Sequence, residues 1–273
     1  MMARMSLGPL VDSAWLGRNL GDPDLRVVDC RWRMGRPGAG EHDWQAGHIP
    51  GAAFLDVDRD LSSEPGANGR HPLPPAESFE AAARRAGISA GTRVVAYDEA
   101  IDGGATRLWW LLRHHGHDDA AVLDGGLVAW REAGRPLRAG REEIAPGDFT
   151  TRPRGEDSIG ADEIQAGAFT LLDARAPERY AGLAEPIDSV RGHIPGAVNV
   201  PFAELAPGGR FLPVAELAAR MPAGDLVAYC GSGITACTVV LAATLSGRDA
   251  RLYPGSWSEW CGRGLPAARP SAD

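Results

Sequence analysis

The chain has 273 residues, 44% of them hydrophobic and 23% charged, with a formal net charge of −8. That composition belongs to a globular protein, and the length suits one large or two ordinary domains. All 28 basic side chains are arginines, which excludes a pyridoxal Schiff base, a Walker A phosphate loop and a kinase-type catalytic lysine, because each needs an ε-amine.

The acidic excess, with no basic run, also argues against nucleic acid as a partner. The opening MMARMSLGPL lacks the apolar core of a signal peptide, and no run of about 18 apolar residues could span a bilayer. These features predict a cytoplasmic protein with no membrane partner. Further along, Leu25-Arg-Val-Val-Asp-Cys30 reads as a strand and is followed, after a polar loop, by Gly47-His-Ile-Pro-Gly-Ala52. A second strand, Arg93-Val-Val-Ala-Tyr-Asp98, leads to a helical pattern over 106–114 and then to Asp124-Gly-Gly-Leu-Val-Ala-Trp130.

The polar, aperiodic stretch over 138–157 reads as a linker, giving a first domain at 1–140, a linker at 141–157 and a second domain at 158–273. Beyond it the same grammar returns: Leu171-Leu-Asp-Ala-Arg175, Gly192-His-Ile-Pro-Gly-Ala197, Leu226-Val-Ala-Tyr-Cys230, a helical pattern over 235–245, and Pro254-Gly-Ser-Trp-Ser-Glu-Trp260. The chain is therefore an internal repeat, offset by about 145 residues at the first match and about 130 at the last. Alternating strands and helices predict an α/β fold, each half a largely parallel sheet flanked by helices.

The four cysteines (Cys30, Cys230, Cys237, Cys261) form no CxxC pair and show no ligand spacing, so neither a structural metal nor a disulfide framework is expected, and no cofactor is implied. Free thiols fit a reducing compartment. Where the first half ends its strand with Asp98-Glu-Ala-Ile-Asp-Gly, the second has Cys230-Gly-Ser-Gly-Ile-Thr-Ala. Ligands in open α/β sheets bind beyond the carboxyl ends of strands, and Gly231 and Gly233 would let backbone N–H groups converge on the sulfur. The positive end of the following helix should lower the thiol pKa from about 8.5. The competing reading is a buried, inert cysteine. A phosphatase or arsenate reductase relative would need an arginine six positions after the nucleophile; that position is Ala236.

The duplicated Gly-His-Ile-Pro-Gly-Ala motif, the loop from Cys230 to Ala236 and the Gly-Ser-Trp-Ser-Glu-Trp ending together resemble the two-domain rhodanese-type sulfurtransferases, over both halves. Within that family the loop is similar to the 3-mercaptopyruvate type; thiosulfate-preferring members usually carry two basic residues where this chain has Gly231 and Ser232. The resemblance implies tandem rhodanese-like domains, the first inactive and structural. It implies sulfur transfer from 3-mercaptopyruvate, or from thiosulfate, through a Cys230 persulfide to a thiol such as thioredoxin or to cyanide. A sulfur-carrier module without catalysis would be expected only if the loop had lost its cysteine.

It further implies roles for other side chains. Ser232 would polarise the donor or relay a proton, with His48 as its partner or, alternatively, as a brace of its own turn. The acidic member of such a relay does not map onto Glu41 or Asp43. Arg179 would grip the donor carboxylate, with Arg191 a possible substitute for a second arginine, and Gly231, Gly233, Ile234 and Thr235 would line the loop. Arg175 reads as an ion-pair partner within the second domain. Trp109 and Trp110 read as packing at the domain interface, and Trp257 or Trp260 as a pocket wall or as core. His114, His115 and His117 read as solvated rather than as a metal cluster. Cys237 reads as a helix residue or a resolving thiol.

Overall fold

The computed structural model describes residues 7–269, so part of the N-terminal segment read above for a signal-peptide core lies outside the described residues. Two compact units divide the chain, one formed by 1–62, 74–154 and 208–210, the other by 63–73, 155–207 and 211–273. The second unit thus takes a segment, 63–73, from the middle of what the repeat assigns to the first half.

The first unit is built on five strands, β1 (Leu10–Val11), β2 (Leu25–Asp29), β3 (Ala53–Phe54), β4 (Arg93–Tyr97) and β5 (Ala120–Leu123), ordered β1-β5-β4-β2-β3. Every pairing is parallel. The second unit has β6 (Thr170–Asp173), β7 (Val198–Asn199), β8 (Leu226–Tyr229) and β9 (Ala250–Leu252), ordered β7-β6-β8-β9 and again parallel. Central strands β4 and β8 are buried along their whole length, which explains their continuously apolar sequences: both sheet faces are covered. No helix among the described residues is long and apolar enough to cross a membrane.

The duplication extends to a buried polar network at the ends of the strands. In the first unit Arg31 forks onto Asp29, with Nη2 at 2.7 Å, and donates to the Gly47 carbonyl, while the Tyr97 hydroxyl donates to Asp29 and accepts from the Ile49 N–H. In the second unit Arg175 forks onto Asp173 and donates to the Gly192 carbonyl, and the Tyr229 hydroxyl accepts from Ile194. Each network ties a strand end to its Gly-His-Ile-Pro turn. Arg175 also lies over the Trp257 ring at 4.6 Å, and Asp173 holds its guanidinium charged despite burial. It is the internal ion-pair residue that its position suggested.

The two turn histidines do the same local work. His48 Nδ1 contacts the Trp44 carbonyl at 2.8 Å and its ring stacks on Trp44; His193 Nδ1 contacts the Tyr180 carbonyl at 2.8 Å and stacks on Tyr180. The expectation of solvated histidines over 114–117 is corrected. His114, His115 and His117 are buried, His115 against Phe79, His117 edge-on to Phe149 and His114 on Trp110. Rings remote in sequence cover His115 and His117, and a ring one turn back on the same helix covers His114. Trp257 and Trp260 belong to the core of the second unit, their indole N–H groups donating to the Val190 and Pro266 carbonyls; Trp260 also lines a cavity with Ile164, Phe169 and Pro266, away from the Cys230 loop. Trp109 and Trp110 are buried on the helix Gly104–His114.

Candidate active site

Strand β8 delivers Cys230 to its carboxyl end, where two backbone hydrogen bonds and one side chain fix the loop. The Cys230 N–H donates to Ser256 Oγ at 3.1 Å, and the Cys230 and Gly231 carbonyls accept from the Trp257 and Ser258 N–H groups. Ser256 holds a left-handed backbone, φ 53°, to reach this position, a strained conformation for a residue with a Cβ. The helix Ala236–Leu245 starts six residues after the cysteine and is buried on nearly every side.

The Gly233 N–H donates to Cys230 Sγ at 3.1 Å, so a main-chain dipole stabilises negative charge on that sulfur. Only glycine serves there: φ is +82°, and a Cβ would stand 2.3 Å from the Pro254 carbonyl oxygen. Cys237, the second residue of that helix, is buried with its thiol on the Gly233 carbonyl at 3.4 Å. Ile234 is buried behind the loop and Thr235 half-buried.

The first unit presents an instructive contrast. Asp98, the counterpart of Cys230, turns its carboxylate into its own loop and accepts from the N–H groups of Ile101, Gly103 and Ala105 at 2.7, 3.0 and 3.1 Å. An internal anion already occupies that cradle. Burial and the nearby Asp102 nevertheless push the Asp98 carboxyl up to about 6, against the three N–H groups.

Ser232 meets a histidine, but not the expected one. His71 Nδ1 lies 2.7 Å from Ser232 Oγ, both residues belonging to the second unit. The ring nitrogens of His48 are taken by the Trp44 carbonyl and by Glu142 at 3.1 Å, so the ring beside Ser232 is that of His71, and His48 braces its own turn, the alternative given for it. Glu142 also accepts from the Gly51 N–H, and these donors hold its carboxyl below the usual range although its burial acts the other way.

Arg179, on the short helix Pro177–Tyr180, donates to Glu185 from Nε and Nη2 at 3.0 and 2.7 Å, and from Nη2 to Asp188 at 3.2 Å. Burial disfavours the charged form of Glu185, but Arg179 and two backbone N–H groups outweigh it and hold the carboxyl low. Arg70 ion-pairs with Asp188 on its other oxygen. A Cβ built on Gly231 would meet Arg70 Nη2 at 3.0 Å and Arg179 Nη1 at 3.4 Å, so two guanidinium groups border the residue next to the cysteine. Arg191 is exposed, and its carbonyl accepts from Arg269. Sequence reasoning missed Arg70 and His71 altogether. Their sequence signal was the polar cluster Gly69-Arg-His-Pro72 and the return of its Gly-Arg pair at Gly209-Arg210.

A family model for the rhodanese-like domain matches residues 12–133 and 159–263. The chain is 43% identical over 272 residues to the Pseudomonas aeruginosa protein named "Probable 3-mercaptopyruvate sulfurtransferase", covering 94% of this chain and 96% of that one. It is 42% identical over 253 residues to "Putative thiosulfate sulfurtransferase SseB" of Mycobacterium tuberculosis, covering 88% of each. Among solved structures, SseA from Escherichia coli, one of the 3-mercaptopyruvate sulfotransferases, superposes with a TM-score of 0.81 at 32% identity, covering 92% of this chain and all of that one.

Proposed function

The chain belongs to the rhodanese family, and from that premise we propose that it is a sulfurtransferase of the 3-mercaptopyruvate type with Cys230 as nucleophile. The observation that carries this reading is the uncharged Cys230 loop whose Gly233 N–H points at the sulfur. Such a loop steadies a sulfur anion and contributes no cation of its own to suit a dianionic donor.

In the first half-reaction the Cys230 thiolate attacks the donor's sulfur. A new S–S bond forms as the C–S bond breaks, and the electron pair of that bond goes to the methylene carbon as an enolate. The proton from the donor's thiol passes to that carbon, giving pyruvate and a Cys230 persulfide anion. Ser232 and His71 form the pair suited to carry that proton. Arg179 holds the donor's carboxylate, and Gly231 leaves space beside the cysteine for it. In the second half-reaction an acceptor thiolate or cyanide attacks the outer sulfur, and Cys230 leaves as thiolate. Reduced thioredoxin is a suitable acceptor, and the free thiols accord with a reducing cytoplasm.

With thiosulfate as donor the leaving group is sulfite and no proton moves. The Mycobacterium relative's name gives that alternative its specific support. Incubation with 3-mercaptopyruvate and no acceptor should add one sulfur atom to the peptide that contains Cys230, as read by mass spectrometry. Pyruvate release without that adduct would overturn the covalent route.

A further inference from the structure

Asp188 occupies an unusual place for a carboxylate in a site that is to bind one. Its side chain is covered, and it bridges two guanidinium groups that arrive from separate segments, Arg70 from 63–73 and Arg179 from the helix Pro177–Tyr180. Its own position is set by a tight turn in which the Ile187 and Asp188 N–H groups both donate to Glu185 at 3.1 Å. Arg70 is anchored at its main chain, its N–H donating to Ser258 Oγ at 3.1 Å. Its Nε is buried without a hydrogen-bond partner, a costly state for a charged donor. Both guanidinium groups also turn an Nη toward Gly231.

Around the loop the charges balance. Arg70, Arg175 and Arg179 are matched by Asp173, Glu185 and Asp188 in one connected network. A neutral network offers a donor hydrogen bonds and planar forks but no net attraction for a second negative charge.

We propose that Arg70 is the second guanidinium of the donor site, acting with Arg179 on the donor's carboxylate, and that Asp188 offsets this pair and sets the preference for a singly charged donor over a dianion. The inference rests on the donor site proposed above. It assigns to Arg70 the part that sequence reasoning offered to Arg191, and it makes Asp188 a specificity residue acting through the two arginines rather than through the sulfur.

Steady-state kinetics with 3-mercaptopyruvate and with thiosulfate, cyanide as acceptor, tests it. Asp188→Asn keeps the shape and one acceptor oxygen but leaves the network with one net positive charge. It should move the ratio of kcat/KM values toward thiosulfate by about tenfold or more, an effect that shrinks with added salt. Arg70→Gln should raise KM for 3-mercaptopyruvate, and Ki for pyruvate as a competing carboxylate, by about tenfold with a smaller change in kcat. Circular dichroism reports folding, and Arg70→Gln carries the test by itself if Asp188→Asn does not fold. A donor ratio unchanged in folded Asp188→Asn would overturn the proposal. So would unchanged KM and Ki in Arg70→Gln, or an equal rise in Ki on Arg191→Gln. Persulfide on Cys230 in these variants separates the two readings, since failure here with a normal adduct leaves the sulfurtransferase assignment standing.

Discussion

His71 Nδ1 and Ser232 Oγ lie 2.7 Å apart, although 161 positions separate the two residues in the chain. The histidine comes from the segment 63–73, which packs with the second unit, and the serine from the loop that follows Cys230. Their contact joins a titratable ring to a hydroxyl two residues from the nucleophile. If the pair moves the donor's proton, Ser232→Ala and His71→Asn should each lower kcat with 3-mercaptopyruvate by about a hundredfold. The double variant should lose little more than either single one, because both remove the same step. Thiosulfate turnover, which needs no such proton, should fall much less. Comparing the two donors in the three variants checks this, and equal losses with both donors would rule out the proton-transfer role.

Gly233→Ala should cost roughly 2 kcal/mol or more of stability and most of the activity. The substitution puts a Cβ on a left-handed backbone and against the Pro254 carbonyl, and relief of either moves the N–H off the Cys230 sulfur. Chemical denaturation together with persulfide yield would show both losses at once.

Arg175→Met should destabilise the second unit by about 3–5 kcal/mol, since it leaves Asp173 buried and uncompensated. Arg179→Gln, more exposed and lying over the loop, should instead show itself chiefly in KM. Thermal melts beside kinetics for the two variants separate an ion pair that holds the fold from one that holds the donor.

Asp98 makes stability depend on pH in a stated direction. Its carboxyl is raised to about 6 in the folded protein by burial and by Asp102, so between about pH 4 and pH 6 the native state keeps a proton that the unfolded chain has lost. The contribution of Asp98 to stability should therefore be greatest at the acid end of that window, fall as pH rises through it, and level off above. Asp98→Asn should flatten that fall. Denaturation midpoints at several pH values in the two proteins would decide, and an unchanged slope would show that Asp98 does not titrate there.

Much of the fold was legible because the chain carries its own comparison. Strands ending in Asp29, Asp173, Tyr97 and Tyr229 recur with the same Gly-His-Ile-Pro turns, and Cys230 stood out because its counterpart is Asp98. Duplication was also what misled. His48 has a twin in His193, and both prove to be braces of their turns. Arg70 has a twin in Arg210, but His71 faces Phe211 in that comparison, and the chain position of both assigns them to the first half while their contacts lie with the second. Periodicity carries no information about such long-range placement. His115 and His117 were misread for the same reason, because Phe79 and Phe149, which cover them, are remote in sequence.

Replacing Cys230 by serine tests the assignment most directly. The change swaps a sulfur for an oxygen at a site where the main chain is fixed by Ser256, Trp257 and Ser258, so the fold should be preserved. The measurement is thiocyanate formed from cyanide with 3-mercaptopyruvate or with thiosulfate as donor. Loss of product with both donors, in a protein whose circular dichroism is unchanged, is the predicted result; sulfur transfer retained by the folded variant would contradict the account.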